Sequence, residues 1–390
     1  MNIALFASAF YPHIGGVEEL VRQMALTYRA SGHNVIVVTI HWPRDLPSYE
    51  EHEGTPIYRF PMRIPEGSPR VMLRYKLSEK SERHRVLDVL KKHKIEMIHV
   101  QCVSANGHFA LMAAQELGIP LVVTTQGERT MDATQLYERS PFMNRTLRAL
   151  LTKADFITAC SRNTLDDAEN WFLEGGGAAF GERARVVYNG IQLRDFETPE
   201  VFQHPRSYVL AIGRHVTQKG FDLLIEAFAR ANLDNVDLVI AGDGSETENL
   251  KALAKLRGVQ DRVLFFGRAD RKQAVALFKG CAFFVLPSRL EPQGIVNLEA
   301  MAAGKAVAAA DVGGVAEIVL NEATGLLFRG DDIEDLTQVM KQLFNDSALR
   351  ERLGQAGRER AQNFDWPQIA AQYLDIYNQV AQNAGDKRAK

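Results

Sequence analysis

The chain has little cysteine. Its three cysteines, Cys102, Cys160 and Cys281, stand far apart in apolar surroundings. That spacing excludes a disulfide framework and the paired pattern of a zinc site, and it predicts a reducing, cytoplasmic setting. Long apolar runs are missing too, since no stretch of about 18 residues could span a bilayer. Neither sign of charge dominates: 46 Lys and Arg face 48 Asp and Glu, a formal charge of −2, which argues against nucleic acid as a partner. The G-x-G-x-x-G fingerprint of dinucleotide-binding folds is absent, as are short repeats and low-complexity tracts. His41, His93, His99 and His108 lack ligand spacing and read as ordinary polar or core residues; no metal and no other cofactor is expected. Residues 1–7 are mostly apolar, but they lack a basic n-region and run straight into Tyr11-Pro12-His13. They read as a buried first strand rather than a signal peptide.

The chain does have alternation. Its 390 residues are too many for one ordinary core, so two domains are expected. Apolar runs alternate with helical patterns throughout, the signature of parallel sheets with crossover helices, an α/β class. In the first half, strands are predicted at 3–7, 34–39, 97–100, 121–125 and 155–159, with 186–191 closing the unit. A second series falls at 208–213, 237–241, 263–266, 282–286, 306–309 and 325–328. The polar stretch from Gln192 to Ser207, with Pro199 and Pro205, suggests a linker. The expected organisation is a first Rossmann-like domain over 1–195, a linker over 196–207, a second Rossmann-like domain over 208–364, a last helix over 365–383 and a frayed polar tail over 384–390.

The most informative segment is Ser288-Arg289-Leu290-Glu291-Pro292-Gln293-Gly294-Ile295-Val296-Asn297-Leu298-Glu299-Ala300-Met301. It follows the apolar run Val285-Leu286-Pro287 and leads into a helical pattern, so it occupies a strand-to-helix turn, where open α/β sheets bind ligands. Glu291 falls on the loop and Glu299 on the helix, with free backbone N–H groups near Gly294 and Ile295 suited to an anion. One carboxylate at each end and N–H groups between suit a molecule with hydroxyls at both ends and phosphates in the middle. Glu299 would accept from two ribose hydroxyls, and Glu291 would meet hydroxyls of a sugar. A helix dipole alone favours an acidic residue near its start, but it does not explain the Pro-x-Gly loop between a spaced pair.

This segment resembles the Glu-x7-Glu motif of the retaining glycosyltransferases of family 4, usually close to E-P-F-G-x-x-x-x-E, with Gln293 standing here for the common Phe. The resemblance extends over nearly the whole chain. It implies the GT-B fold, in which two Rossmann-like domains face each other across a cleft and a C-terminal helix crosses back to the first. It also implies that backbone groups of Gln293, Gly294 and Ile295 touch the sugar and diphosphate. Gly213-Arg214 and Lys219-Gly220 match a family Arg and Lys. Fixed cations there would stabilise a leaving diphosphate without a metal; taken alone, the same residues read equally well as a solvated turn. In the loop Tyr11-Pro12-His13-Ile14-Gly15-Gly16-Val17-Glu18, Gly15 and Gly16 resemble a family pair lining the cleft, with His13 beside the acceptor. Gln126 stands where many members have a His that touches the donor sugar, which leaves the identity of that sugar open. Glu128, Arg129 and Asp132 follow as candidate acceptor contacts, and Gly267 and Arg268 belong to a loop that surrounds the base in the family.

The stretch 59–94 is basic, with Arg70, Arg74, Lys76, Lys80, Arg83, Arg85, Lys91 and Lys92. It reads as a solvated helix face laced by pairs such as Glu82 with Arg85 and Arg83 with Asp88. The other reading is a peripheral contact with anionic lipid on the inner face of a membrane. The expected activity is metal-independent, retaining transfer of a hexose from a nucleoside-diphosphate sugar, by family frequency a UDP-sugar, to an acceptor hydroxyl. Bacterial glycan, glycolipid and small-molecule glycoside synthesis are the expected settings. A sugar-nucleotide epimerase of the same fold and a non-catalytic nucleotide-sugar-binding protein are the alternatives. A phosphorylase lacks a lysine context for pyridoxal, and a dehydrogenase lacks the glycine fingerprint. A retaining glycosidase needs its carboxyls about 5–5.5 Å apart across the scissile bond, which a loop and a helix glutamate at opposite ends of a donor do not provide.

Overall fold

The computed structural model describes residues 1–12, 15–65, 69–129 and 136–389. The chain forms two units, Met1–Tyr188 with Trp366–Lys390, and Asn189–Asp365.

The first unit is built on an eight-stranded sheet. Its strands are β1 (Asn2–Ala7), β2 (Asn34–Ile40), β3 (Tyr49–His52), β4 (Thr55–Phe60), β5 (Met97–Gln101), β6 (Leu121–Thr125), β7 (Phe156–Ala159) and β8 (Ala184–Val186). Their order is β3-β4-β2-β1-β5-β6-β7-β8. All neighbours are parallel except β3 with β4. Strands covered on both faces are near-continuous apolar runs, and the period of two divides them. Ala4, Phe6, Ile36, Val38, Ile98 and Val100 point into one core; Ile3, Leu5, Ala7, Val35, Val37 and Met97 point into another. That second core is closed by the helix Trp366–Ala389 through Trp366, Ile369, Ala370, Tyr373, Ile376, Tyr377 and Val380. Their spacing of three and four makes one helical stripe.

The second unit has six parallel strands, β9 (Ser207–Ile212), β10 (Val236–Ala241), β11 (Val263–Gly267), β12 (Phe283–Leu286), β13 (Val307–Ala310) and β14 (Leu326–Phe328). Their order is β11-β10-β9-β12-β13-β14. The order reverses between β9 and β12, and this switch point brings the ends of two neighbouring strands to the same crevice.

Several expectations need correction. The hairpin β3–β4 had no counterpart in the sequence reading, because β3, Tyr-Glu-Glu-His, has no apolar alternation and Pro56 interrupts β4. Its two-residue turn, Glu53-Gly54, has positive φ at both positions (49° and 74°), as a primed hairpin turn requires. The stretch 196–207 is not a free linker. Leu193–Glu197 forms a short 3-10 helix, and Phe202 donates its N–H to Ala276 O (3.0 Å). The chain leaves the first unit earlier, at Tyr188, because the backbone from Asn189 onward is bonded within the second. The tail expected at 384–390 is helical through Ala389.

Candidate functional site

In the second unit β12 ends at Leu286, and the chain reaches the helix Ile295–Ala302 through a loop ending at Gly294. Gly294 caps that helix with φ 83°, a left-handed conformation that glycine adopts without steric cost. A second left-handed glycine, Gly220 (φ 64°), packs so closely that a Cβ there would lie 2.0 Å from Pro287 O. The turn carrying Lys219 is thereby pressed against the end of β12.

This packing joins residues distant in sequence. Lys219 Nζ donates to Glu291 Oε2 at 2.6 Å, and Ser288 Oγ donates to the same oxygen at 3.1 Å. Glu291 is 8% exposed, and its Oε1 has no partner among the described residues. Glu299 is arranged alike. Its Oε1 accepts from Arg271 Nη1, while Oε2 has no partner among the described residues. Arg271 Nε also donates to Asp195 Oδ2 at 2.7 Å. Burial works against that guanidinium's charge, but Glu299 and Asp195 outweigh it and hold the group above its ordinary range. Arg214 is exposed at the end of β9, and its guanidinium has no partner among the described residues.

The neighbouring strand ends are drawn together by backbone. Gly213 N–H donates to Ala241 O (3.0 Å) and Gly242 N–H to Gly267 O (2.7 Å). A Cβ on Gly242 would stand 1.9 Å from Gly213 O. Arg268 is highly exposed and pairs with Asp243 at 3.4 Å. The carbonyl of Glu291 accepts from Gly314 N–H at 3.1 Å, and a Cβ on Gly313 would lie 2.0 Å from that same carbonyl oxygen.

Gln293 has a second role that the sequence reading did not foresee. Its buried side chain exchanges two bonds with the backbone of Asn189, which donates N–H to Oε1 (2.8 Å) and accepts from Nε2 (3.0 Å). Its amide thus does a backbone-pairing job that a Phe there would not do.

The first-unit candidates are more scattered. Gly15 precedes the helix Gly16–Ala30, and a Cβ on it would meet Glu18 Oε2 at 2.5 Å, whereas Gly16 has open space. Gln126 is half-buried and donates from Nε2 to Gln101 Oε1 at 3.1 Å. Glu128 was expected to face an acceptor, but its carboxylate is turned inward. Oε1 accepts from Val103 N–H and Oε2 from Gln126 N–H, both at 2.9 Å, and burial raises its pKa. It braces two strand-end loops. Arg129 lies over the Trp171 ring at 5.4 Å. His13 and Asp132 lie outside the described residues.

Among the described residues no group of three or more His, Cys, Asp and Glu is arranged to hold a metal. The second unit offers alternating cations and carboxylates, each glutamate with an open oxygen, at the C-terminal ends of parallel strands. Such an array suits a polyhydroxylated phosphate ester. Sequence reasoning assigned no role to Ser288, Arg271, Asp195 or Gly313-Gly314. Only the paired glycines carried a signal, the same one read at Gly15-Gly16.

Residues 14–195 match the family described as Glycosyltransferase Family 4, and residues 195–360 match Glycosyl transferases group 1. The chain is 25% identical to the alpha-monoglucosyldiacylglycerol synthase of Streptococcus pneumoniae, over 85% of this chain and 76% of that one. Its structure is similar to sucrose-phosphate synthase from Thermosynechococcus elongatus, with TM-score 0.81, 25% identity, and coverage of 97% and 98% of the two chains. It also resembles the Anabaena protein HepE solved in complex with UDP, with TM-score 0.76, 20% identity, and coverage of 97% and 100%.

Proposed function

The chain belongs to the family 4 glycosyltransferases and has their GT-B fold, and on that premise we propose that it transfers a hexose, with retention of configuration, from a nucleoside-diphosphate sugar to an acceptor hydroxyl. The observation that carries this reading is the matched state of the two motif glutamates. Each is pinned through one oxygen by a cation and leaves the other oxygen open. Pinning removes rotamer freedom before the ligand arrives, so less entropy is lost on binding. Glu299 takes the ribose and Glu291 the sugar, with the diphosphate between them at the N–H groups after Gly294. Uridine is the proposed base, supported by the UDP bound to the Anabaena neighbour of similar fold.

As the glycosidic bond breaks, negative charge grows on the leaving phosphate. Arg214 and Lys219 supply fixed positive charge there, so no metal is needed for that task. The departing phosphate oxygen can itself accept the proton of the attacking hydroxyl on the same face, so no protein base is required. The first test is turnover of UDP-sugars with and without a chelator, reading the anomeric configuration of the product by NMR. Lys219→Ala should lower kcat by about 10²–10³-fold, the usual effect of removing one group that stabilises developing charge. A folded variant with wild-type turnover would refute the role.

We further propose that the first unit rests on anionic lipid, in keeping with a glycolipid-synthesising relative. In the helix Pro69–Lys92, Met72, Leu73 and Leu77 are exposed, Leu77 at 73%. Leu73 and Leu77 are one turn apart, flanked by the exposed cations Arg70 and Arg74 on one side and Lys76 and Lys80 on the other. The pairs expected along this helix are replaced by partners off it, Glu82 with Arg63 (2.8 Å) and Arg83 with Glu116 (2.5 Å). Arg70, Arg74, Lys76 and Lys80 make no ion pair among the described residues, and this half meets lipid headgroups at about 1 kcal/mol per cation near the surface. Vesicles rich in phosphatidylglycerol should sediment the protein, and Leu73→Asp with Leu77→Asp should release it. Equal sedimentation with neutral vesicles would count against the charge argument.

A further inference from the structure

Arg271 is the first residue of the helix Arg271–Gly280, which is capped by Asp270 and Gln273 in a reciprocal box. A cation in the first turn faces the unfavourable end of the helix dipole, so helix stability does not account for an arginine here. Its contacts do. Nη1 meets Glu299, Nε meets Asp195 Oδ2 at 2.7 Å, and the guanidinium lies 5.4 Å from the Phe196 ring centre. Asp195 and Phe196 belong to the short helix Leu193–Glu197. That helix lies just past the point where the chain crosses into the second unit. The same segment is tied to the point of exit: Ile191 N–H donates to Phe364 O at 2.9 Å, and Leu193 N–H donates to Asp365 Oδ1 at 3.2 Å.

We propose that Arg271, braced by Asp195, is a positioning residue that fixes the plane of the Glu299 carboxylate, so that the crossing segment 191–197 and the ribose end of the donor site are one mechanical assembly. The inference rests on the donor reading above. An arginine suits the task because its planar fork sets an orientation as well as a charge. Without the fork, Glu299 rotates about its side-chain torsions and no longer presents Oε2 at a fixed angle to a pair of hydroxyls. Discrimination for those hydroxyls is lost before affinity for the diphosphate is.

The test compares UDP with 2′-deoxy-UDP and 3′-deoxy-UDP by calorimetry, with the ADP and GDP pairs run in parallel. The wild type should prefer the ribose form by about tenfold, a typical worth for a hydrogen bond to a charged group. Arg271→Ala should bring that ratio close to one, and Asp195→Asn should lower it part of the way. Arg271→Lys should bind UDP with near wild-type affinity yet lack the hydroxyl preference. Hydrogen exchange of the amides in 191–197 should slow when UDP is added to the wild type and not when it is added to Arg271→Ala. A wild-type ratio in folded Arg271→Ala overturns the proposal. If that variant does not fold, a wild-type ratio in Asp195→Asn overturns it. A wild type that binds no nucleoside diphosphate sinks the donor reading itself. A wild type that binds UDP well but does not distinguish the deoxy forms overturns the ribose contact of Glu299 and with it the role of Arg271, and leaves the rest of the donor reading standing.

Discussion

Glu291 and Glu299 stand eight positions apart on one loop and helix, yet neither is held by the motif alone. Lys219 comes from the turn after β9, Arg271 from the helix after β11, and the carbonyl of Glu291 is held by Gly314 from beyond β13. Gly313 is an exacting position. It has φ 56°, and a side chain there would start 2.0 Å from Glu291 O, a backbone atom with little freedom to yield. Gly313→Ala should therefore cost about 1–3 kcal/mol of stability through strain at a left-handed position. It should also displace Glu291 and weaken UDP binding. Urea denaturation and a UDP titration on the same preparation would measure both effects. Loss of neither would mean that the loop has more room than its packing indicates.

At the scale of elements, the helix Trp366–Ala389 shows how the first unit is finished. It covers a sheet face, and its Tyr377 enters a buried polar chain. Tyr377 OH lies 3.2 Å from Tyr28 OH and 2.5 Å from His99 Nδ1, while His99 Nε2 meets Thr124 Oγ1 at 2.6 Å. Burial pushes the His99 pKa down to about 3, so the folded protein keeps this ring neutral. Unfolding returns it to an ordinary histidine near 6.5. Between those values the unfolded chain binds a proton that the native state refuses, so stability is intact above about pH 6.5 and falls as the pH drops below it. The slope from this one residue approaches about 1.4 kcal/mol per pH unit. Chemical denaturation at pH 7 and pH 5 should show the loss. His99→Gln, although weaker at pH 7, should have a flatter pH dependence over that interval. An unchanged slope in the variant would assign the acid sensitivity to other groups.

The whole molecule is two units with unequal claims to independence. The second unit, Asn189–Asp365, is continuous in sequence and owns its six-stranded sheet and both motif glutamates. The first unit borrows its closing helix from the far end of the chain. A fragment covering 189–365 should thus fold cooperatively and bind UDP. A fragment covering 1–188 should aggregate or unfold, because the face under Ile369, Tyr373 and Tyr377 is left open to water. Each large aromatic lost from such a face removes about 3–5 kcal/mol. Adding a peptide of residues 365–389 should rescue the second fragment if the missing cover is the cause.

The sequence alone determined the class, the alternation of strands and helices, the division into two units and the Glu-x7-Glu loop. Each of these rests on local signals: apolar runs, periodicity, and glycine and proline at turns. It also marked Arg214 and Lys219, which lie close to a strand end. Only the tertiary structure decided that Lys219 pairs with Glu291, that Arg271 and Asp195 hold Glu299, that Gln293 clamps Asn189 and that Glu128 turns inward. These contacts join residues from different crossovers, and nothing in their own neighbourhoods of sequence encodes the partner. The last helix was legible as a helix, but not the faces of Tyr28 and His99 that it covers. A stripe of apolar residues states that a face must be buried; what buries it is settled by the path of the whole chain.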